Sequence, residues 1–140
     1  PAFVFMIPVI AFFGTGKVAA VIITMIFGGT PVVRLTVLGL KGVPQNIREA
    51  AIAYGASKWY LLTKVDIPLA TPTILAGVNQ TVMLSLAMVV VASLIGAKGL
   101  GQDVLEALQY ANVGQGILAG VAILFVALLL DRIVQGKKRV

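Results

Sequence analysis

The sequence contains no cysteine and no histidine, and only 5 of its 140 residues are Asp or Glu. Without cysteine, the chain can form neither a disulfide framework nor a thiol nucleophile. Without both residue types it lacks the usual ligands of zinc and haem, and a Ser-His-Asp triad cannot be assembled. We therefore expect no zinc or haem site and no cofactor in this chain, and these two kinds of catalytic centre are excluded.

Charged residues of both signs are scarce. They make up 11% of the sequence, against about 25% in an average soluble domain, whereas 59% of the residues are hydrophobic and the mean hydropathy is +1.04. Four stretches contain no charged residue at all: 1–16, 18–33, 67–97 and 107–130. About 20 apolar residues in a helix cross the hydrocarbon core of a bilayer. The pattern predicts an all-α, polytopic helical membrane protein.

The uncharged stretches place the predicted spans at about 1–13, 18–40, 69–95 and 116–134, within one transmembrane domain that covers 1–140. The first stretch is too short to cross a membrane, and the sequence opens with Pro1 rather than Met. We therefore expect a chain that is truncated at its N-terminus and starts inside a helix. Two segments between the spans are polar enough to lie outside the membrane, a loop at 41–68 and a segment at 96–115 that carries a short amphipathic pattern.

The distribution of basic residues predicts the orientation. Loops on the cytoplasmic side of a membrane are enriched in Lys and Arg. If the 41–68 loop and the C-terminus are cytoplasmic, the inner side holds nine basic and three acidic residues, and the outer side holds two of each. The whole net charge of +6 then lies on the inner side. The nine inner basic residues are Arg34, Lys41, Arg48, Lys58, Lys64, Arg132, Lys137, Lys138 and Arg139.

The 41–68 loop is long enough to have structure of its own. Pro44 suits the first turn of a helix, and Gly55 suits the residue that ends one, because glycine adopts left-handed backbone angles without penalty. Ser57 can cap a second helix, and Pro68 should stop it. The loop therefore predicts two short helices joined by a corner.

This loop also carries the one specific motif of the sequence. The run Glu49-Ala50-Ala51, three residues, Gly55, nine residues, then Val65-Asp66-Ile67-Pro68 resembles the EAA loop of permeases in ATP-binding cassette importers. The family pattern is E-A-A-x3-G-x9-I-x-L-P. Val65 and Ile67 are mild departures from it. The positions that match outright are Glu49, Ala50, Ala51, Gly55 and Pro68.

The resemblance extends over nearly the whole chain and is to the glycine betaine/proline/choline branch of these permeases. It is carried by segments such as 13–18, 31–36, 77–83 and 95–101. It implies a non-catalytic permease subunit that moves glycine betaine, proline betaine or choline inward by alternating access, in the plasma (inner) membrane of a prokaryote. The implied partners are two copies of an ATPase subunit, an extracytoplasmic substrate-binding protein and a second permease copy, giving a homodimer. Nucleic acid is not among them.

The same resemblance implies that Glu49, Ala50, Ala51, Gly55 and Pro68 form the loop that couples the permease to its ATPase. The alternative from spacing alone is that Glu49 merely stabilises its own helix from the N-terminal half and that the alanines are good helix formers.

The Gly14-Thr15-Gly16-Lys17 turn lacks the spacing of a phosphate-binding loop, so ATP hydrolysis falls to another subunit.

Three other functions are alternatives to this one. One is a permease of the same type for another small solute. Another is a secondary carrier or channel subunit that needs no ATPase. The third is a DNA-binding helix-turn-helix in the 41–68 loop, which is disfavoured because the loop lies between two spans and has a net charge of only +2.

Polar and small residues within the spans supply the remaining candidates. Asn79, Gln80, Thr81 and Ser85 are candidates for a translocation path, and hydrogen bonding between helices is an equally good interpretation. Gly116 and Gly120 have the spacing of a close helix-packing pair. The single tryptophan, Trp59, lies in the 41–68 loop, so no aromatic cage for a quaternary ammonium group is evident, and the osmoprotectant assignment rests on the resemblance.

Overall fold

A computed structural model describes residues 2–136, and this part of the chain is helical with no β-strand. A π-helical turn at Leu62–Asp66 joins the helix that ends at Leu61 to the helix that begins at Ile67 without a break. Lys137, Lys138 and Arg139, which the orientation argument counted, lie outside the described residues, as does Pro1. The helices are α1 (Ala2–Phe13), α2 (Lys17–Gly28), α3 (Thr30–Lys41), α4 (Gln45–Ala53), α5 (Lys58–Leu61), α6 (Ile67–Ser93), α7 (Leu100–Gln109) and α8 (Val113–Gln135).

Three helical stretches are long and apolar enough to cross a membrane. They cover Lys17–Lys41, Lys58–Ser93 and Val113–Gln135, with 25, 36 and 23 residues, and a shorter apolar helix covers Phe3–Phe13. Helices suit this composition because a backbone in hydrocarbon must satisfy its hydrogen bonds within the segment. The predicted all-α membrane architecture is confirmed.

The first long stretch contains a local break. The N–H of Gly29 donates to the carbonyl of Met25 at 3.0 Å, and α3 then restarts at Thr30. Pro31 has no N–H to continue the hydrogen-bond ladder, which explains a break at this point. The hydroxyl of Thr30 donates to the carbonyl of Ile26 at 3.3 Å and so uses one of the carbonyls near the break.

Pro68 does not stop its helix, and that prediction is wrong. The helix runs from Lys58 to Ser93 and passes Pro68. The turn before the proline is π-helical, and the N–H of Ile67 reaches back five residues to the carbonyl of Leu62. Pro68 cannot donate to the carbonyl four residues before it, so a wider turn lets the helix continue where a regular ladder would be interrupted.

The described chain forms two compact units, one of which is Pro31–Gln80. Within that unit, α3 and α6 approach each other at glycines. A Cβ atom added to Gly77 would lie 3.0 Å from the Cβ of Leu35, and one added to Gly39 would lie 3.0 Å from the Cβ of Thr73. Small residues are what allow helix backbones to approach so closely in a membrane. The sequence reasoning did not single out these two glycines.

The other unit holds the residues up to 30 and from 81 onward. Its core packs the first two helices against the turn that follows α6, and the N–H of Gly16 donates to the carbonyl of Ile95 at 2.8 Å. Gly101, at the start of α7, lies so close to α6 that an added Cβ would collide with the carbonyl of Val89. The buried core residues are Met6, Val9, Ala19, Ala20, Ile23 and Ile95.

We predict that Gly77→Val destabilises the protein, because the added side chain would meet Leu35 and the backbone of Val32. Overpacking of this kind typically costs about 1–3 kcal/mol. Ala76→Val is the matched control, since Ala76 is exposed on the same helix. The thermal midpoint of the detergent-purified protein should fall for Gly77→Val and stay near wild type for Ala76→Val. Equal midpoints for the two variants would show that the α3–α6 contact contributes little.

Candidate functional site

The segment that matches the EAA pattern begins with α4. The carbonyl of Pro44 accepts from the N–H groups of Ile47 and Arg48, which starts the helix without a side-chain cap. Glu49 and Ala50 are exposed, and Ala51 is half-buried. The acidic residue of the motif is therefore presented on the surface of the described chain, where another protein can reach it.

A tight corner at residues 54–57 follows α4. Gly55 has a φ of +84°, and its N–H donates to the carbonyl of Ile52 at 2.8 Å. The N–H of Ala56 donates to the carbonyl of Ala51 at 3.0 Å. This pair of bonds is the Schellman arrangement, which favours glycine at the left-handed position. A Cβ on Gly55 would meet nothing within 4 Å, so the requirement for glycine is conformational rather than steric.

The helix after the corner starts at a conventional cap. The Oγ of Ser57 accepts from the N–H of Tyr60 at 3.2 Å, as the sequence predicted for this serine. Because Gly55 and Ser57 are two residues apart, the end of one helix and the start of the next are both fixed within the corner. Few backbone angles remain free between α4 and α5.

Exposed aromatic residues surround this corner. Tyr54 is 93% exposed, Trp59 is 73% exposed and Tyr60 is 55% exposed. Tyr54 and Tyr60 line a groove of about 420 Å³. Exposed aromatic side chains beside small residues are typical of surfaces that bind another protein. The remaining residues that line the groove are Ala51, Gly55, Ala56 and Ser57.

An ion pair joins α4 to the π-helical turn, and the sequence did not predict it. The Nε of Arg48 donates to the Oδ1 of Asp66 at 2.8 Å, and its Nη2 donates to the carbonyl of Leu40 at 3.1 Å. Within residues 2–136 this is the one salt bridge, and Asp66, 6% exposed, is the one buried charged residue. Arg48 and Asp66 are 18 positions apart and lie in different helical segments with the corner at Gly55 between them, so the periodicity of a single helix does not predict their contact. The only indication in the sequence was that Arg48 and Asp66 are both adjacent to positions of the EAA motif.

The four polar residues proposed for a translocation path differ in their surroundings. The Oδ1 of Asn79 and the Oγ1 of Thr81 are shielded from solvent and have no hydrogen-bond partner among the described residues. Gln80 is exposed. Ser85 lines a cavity of about 380 Å³ together with Thr24 and the side chains of Lys17 and Lys98.

The glycines of α8 also differ from each other. A Cβ on Gly116 would lie 3.3 Å from the Cβ of Ala107 on α7, whereas a Cβ on Gly120 would meet nothing within 4 Å in the described chain. The contact at Gly116 packs α8 on the preceding short helix. Between residues 2 and 136, no group of three or more carboxylate side chains is placed to hold a metal ion.

We predict that Gly55→Val opens the corner and that Gly55→Asn largely preserves it. Left-handed backbone angles cost a β-branched side chain about 1–2 kcal/mol, whereas asparagine tolerates them better. Amide hydrogen exchange over residues 54–62 of the detergent-purified protein should speed up in the valine variant, because the cap at Ser57 is disturbed. Similar exchange in both variants would show that the left-handed angle at Gly55 does not maintain the corner.

Comparison of the sequence with known proteins identifies a family. Residues 1–136 match the family described as binding-protein-dependent transport system inner membrane component. The chain is 48% identical over 139 residues to the glycine betaine/proline betaine transport system permease protein ProW of Salmonella typhimurium. It is 49% identical over 138 residues to the glycine betaine transport system permease protein OpuAB of Bacillus subtilis. These alignments cover 99% of this chain and 39% and 49% of the relatives.

A further relative carries a different solute in its name. The trimethylamine N-oxide transport system permease protein TmoV of Pelagibacter ubique is 46% identical over 132 residues, which is 94% of this chain and 18% of the relative. The chain thus spans less than half the length of each of these relatives. The match nevertheless covers the spanning helices, the corner and the motif together. The chain belongs to the family of inner membrane components of binding-protein-dependent transport systems.

Proposed function

We propose that this chain is the membrane-spanning core of the permease subunit of an ATP-driven importer for glycine betaine and related small osmoprotectants. The observation that carries the proposal is the surface formed by α4 and the corner, which we name the coupling knob (residues 45–60). It combines the EAA spacing with exposed Glu49, a rigid left-handed turn at Gly55 and exposed aromatic residues. Such a surface suits docking to a separate ATPase.

The knob has the features that transmission of movement requires. An ATPase that closes on ATP must push on a body that does not deform. Here α4 is closed by two backbone hydrogen bonds at its C-terminal end, the following helix starts at a side-chain cap, and Arg48 holds the inner side. The small side chains at Ala50 and Ala51 let a partner surface approach closely. Glu49 can accept a hydrogen bond from a basic group or a backbone N–H of that partner.

The charge distribution supports a cytoplasmic knob. Among the described residues, Lys41, Arg48, Lys58 and Lys64 all lie in or beside it, whereas the opposite ends of the spans carry Lys17 and Lys98. The positive-inside rule then puts the 41–68 loop and the C-terminal end of α8 in the cytoplasm. The segment with α7 faces the opposite side, where a substrate-binding protein would dock.

The remaining partners are proposed from the resemblance to ATP-binding cassette importers. Its sequence holds no phosphate-binding motif, so two copies of an ATPase subunit would hydrolyse ATP, and this chain would act without a cofactor. Alternating access needs two membrane halves that move against each other. We propose that a second copy of the permease supplies the other half, giving a homodimer.

Asn79, Thr81 and Ser85 are the best candidates for the walls of a translocation path, with exposed Gln80 beside them on α6. Buried polar atoms without partners are rare in folded chains. The unpartnered oxygens of Asn79 and Thr81 would therefore be satisfied by water, solute or another part of the transporter. Ser85 and Thr24 line one cavity, which supports a shared role for them along the path.

The substrate class is supported by the relatives. Their names mention glycine betaine, proline betaine and trimethylamine N-oxide, which are all small and carry a fully substituted nitrogen. Aromatic faces bind such positively charged nitrogen groups well, yet the single tryptophan, Trp59, lies on the coupling knob. We therefore assign selection among these solutes to the binding protein rather than to the spans.

The proposed function is tested with the complete permease that contains this chain, reconstituted in proteoliposomes with its ATPase and binding protein. Uptake of radiolabelled glycine betaine should require ATP and the binding protein, and an ionophore that collapses ion gradients should leave it intact. Unlabelled proline betaine and choline should compete, whereas leucine should not. Uptake that persists without ATP and disappears with the ionophore would instead identify a secondary carrier.

A second prediction concerns Glu49. Glu49→Gln removes the exposed charge while keeping the shape of the side chain, so it should lower ATP-driven uptake about tenfold, as expected when a charge-assisted hydrogen bond at an interface is weakened. Asp131→Asn is the matched control, because it removes a carboxylate charge on α8, outside the coupling knob. Both variants should insert in the membrane at wild-type levels. Equal uptake by the two variants would contradict docking through Glu49.

A further inference from the structure

Arg48 connects three segments of the chain through one side chain. It lies on α4, its Nε donates to Asp66 in the π-helical turn, and its Nη2 donates to the carbonyl of Leu40 in the last turn of α3. All three segments belong to the Pro31–Gln80 unit. The fixed fork of a guanidinium group allows it to hold two acceptors in a defined geometry.

The covalent routes between these segments are less direct. From α4 to the π-helical turn the chain passes through the corner at Gly55, and from α3 to α4 it passes through a bend at 42–44. Glycine with left-handed angles is a point where a chain can change direction. The side-chain contacts of Arg48 bypass both points.

Burial makes the contact resistant to separation. The side chain of Asp66 is 8% exposed and that of Arg48 is 29% exposed. Separating the pair would leave a carboxylate with little access to water, which is strongly unfavourable. The contact should therefore persist when α4 is pushed.

Arg48 and Glu49 are adjacent, but consecutive residues on a helix point about 100° apart. Arg48 faces the spans and Glu49 is exposed. We propose that the Arg48–Asp66 pair is the positioning contact that transmits movement of the coupling knob to the two spanning helices. This inference rests on the proposed function, because it assigns a role to residues behind the proposed ATPase contact.

The inference predicts uncoupling rather than loss of ATP hydrolysis. In the reconstituted complete transporter, Asp66→Asn should lower the glycine betaine taken up per ATP hydrolysed about tenfold, within the range that single residues contribute to coupling. ATP hydrolysis per transporter should stay close to wild type. Arg48→Lys, which keeps the charge but loses the fork, should have a smaller effect of the same kind. The double variant Arg48→Asp/Asp66→Arg should recover part of the ratio lost in Asp66→Asn.

Two charged residues elsewhere provide matched controls. Asp131→Asn on α8 and Arg34→Lys on α3 make the same chemical changes away from the ion pair. Both should leave the ratio of uptake to hydrolysis unchanged. They also report any general effect of altering charge in the membrane protein.

Several results would overturn the inference. A wild-type ratio in Asp66→Asn and Arg48→Lys would do so, as would a parallel loss of hydrolysis and uptake in assembled transporter, which indicates a purely structural pair. If Asp66→Asn does not assemble, the ratio in Arg48→Lys decides. Wild-type transporter that takes up no glycine betaine would overturn the proposed function itself, so the two failures are distinguishable.

Discussion

A backbone that crosses hydrocarbon must satisfy its own hydrogen bonds, and this constraint governs the spanning helices and their continuation past Pro68. Where α2 ends and Pro31 interrupts the ladder, the hydroxyl of Thr30 returns to a carbonyl of the preceding turn. Where Pro68 removes a donor, the helix widens into a π-helical turn and continues. Both departures keep the polar groups close to partners within the same stretch of helix.

The coupling knob is joined to the membrane-spanning part by a continuous helix. The helix that starts at Ser57 in the corner is continuous with α6, so no flexible linker separates the exposed aromatic residues from the spanning helix. On the other side, α3 and α6 meet at Gly39 and Gly77, where a Cβ atom on either glycine would lie 3.0 Å from an atom of the facing helix. Close backbone packing of this kind resists sliding, because helices in lipid are held by shape and van der Waals contact.

Composition and hydropathy were sufficient to predict the all-α membrane architecture, and residue spacing was sufficient to identify the family. The architecture and the family can both be recognised from the order of residues along the chain. The Arg48–Asp66 pair and the contacts of Gly39 and Gly77 depend on which helices meet, and a single sequence does not contain that information. Pro68 misled the prediction because its local rule assumes a regular α-helical ladder, whereas the preceding turn is wider.

The π-helical turn at Leu62–Asp66 has a consequence for the angular phase of the helix. Each residue of a regular α-helix advances about 100° around the axis, and a π-bulge adds a residue to one turn. The side chains of α5 are therefore rotated about the helix axis relative to the positions that continuing α6 as a regular α-helix would give them. A single helical wheel drawn for residues 58–93 would assign some side chains to the wrong face. A one-residue deletion within 62–66 would rotate the aromatic face of the knob around the axis of the spanning helix without changing either helix itself.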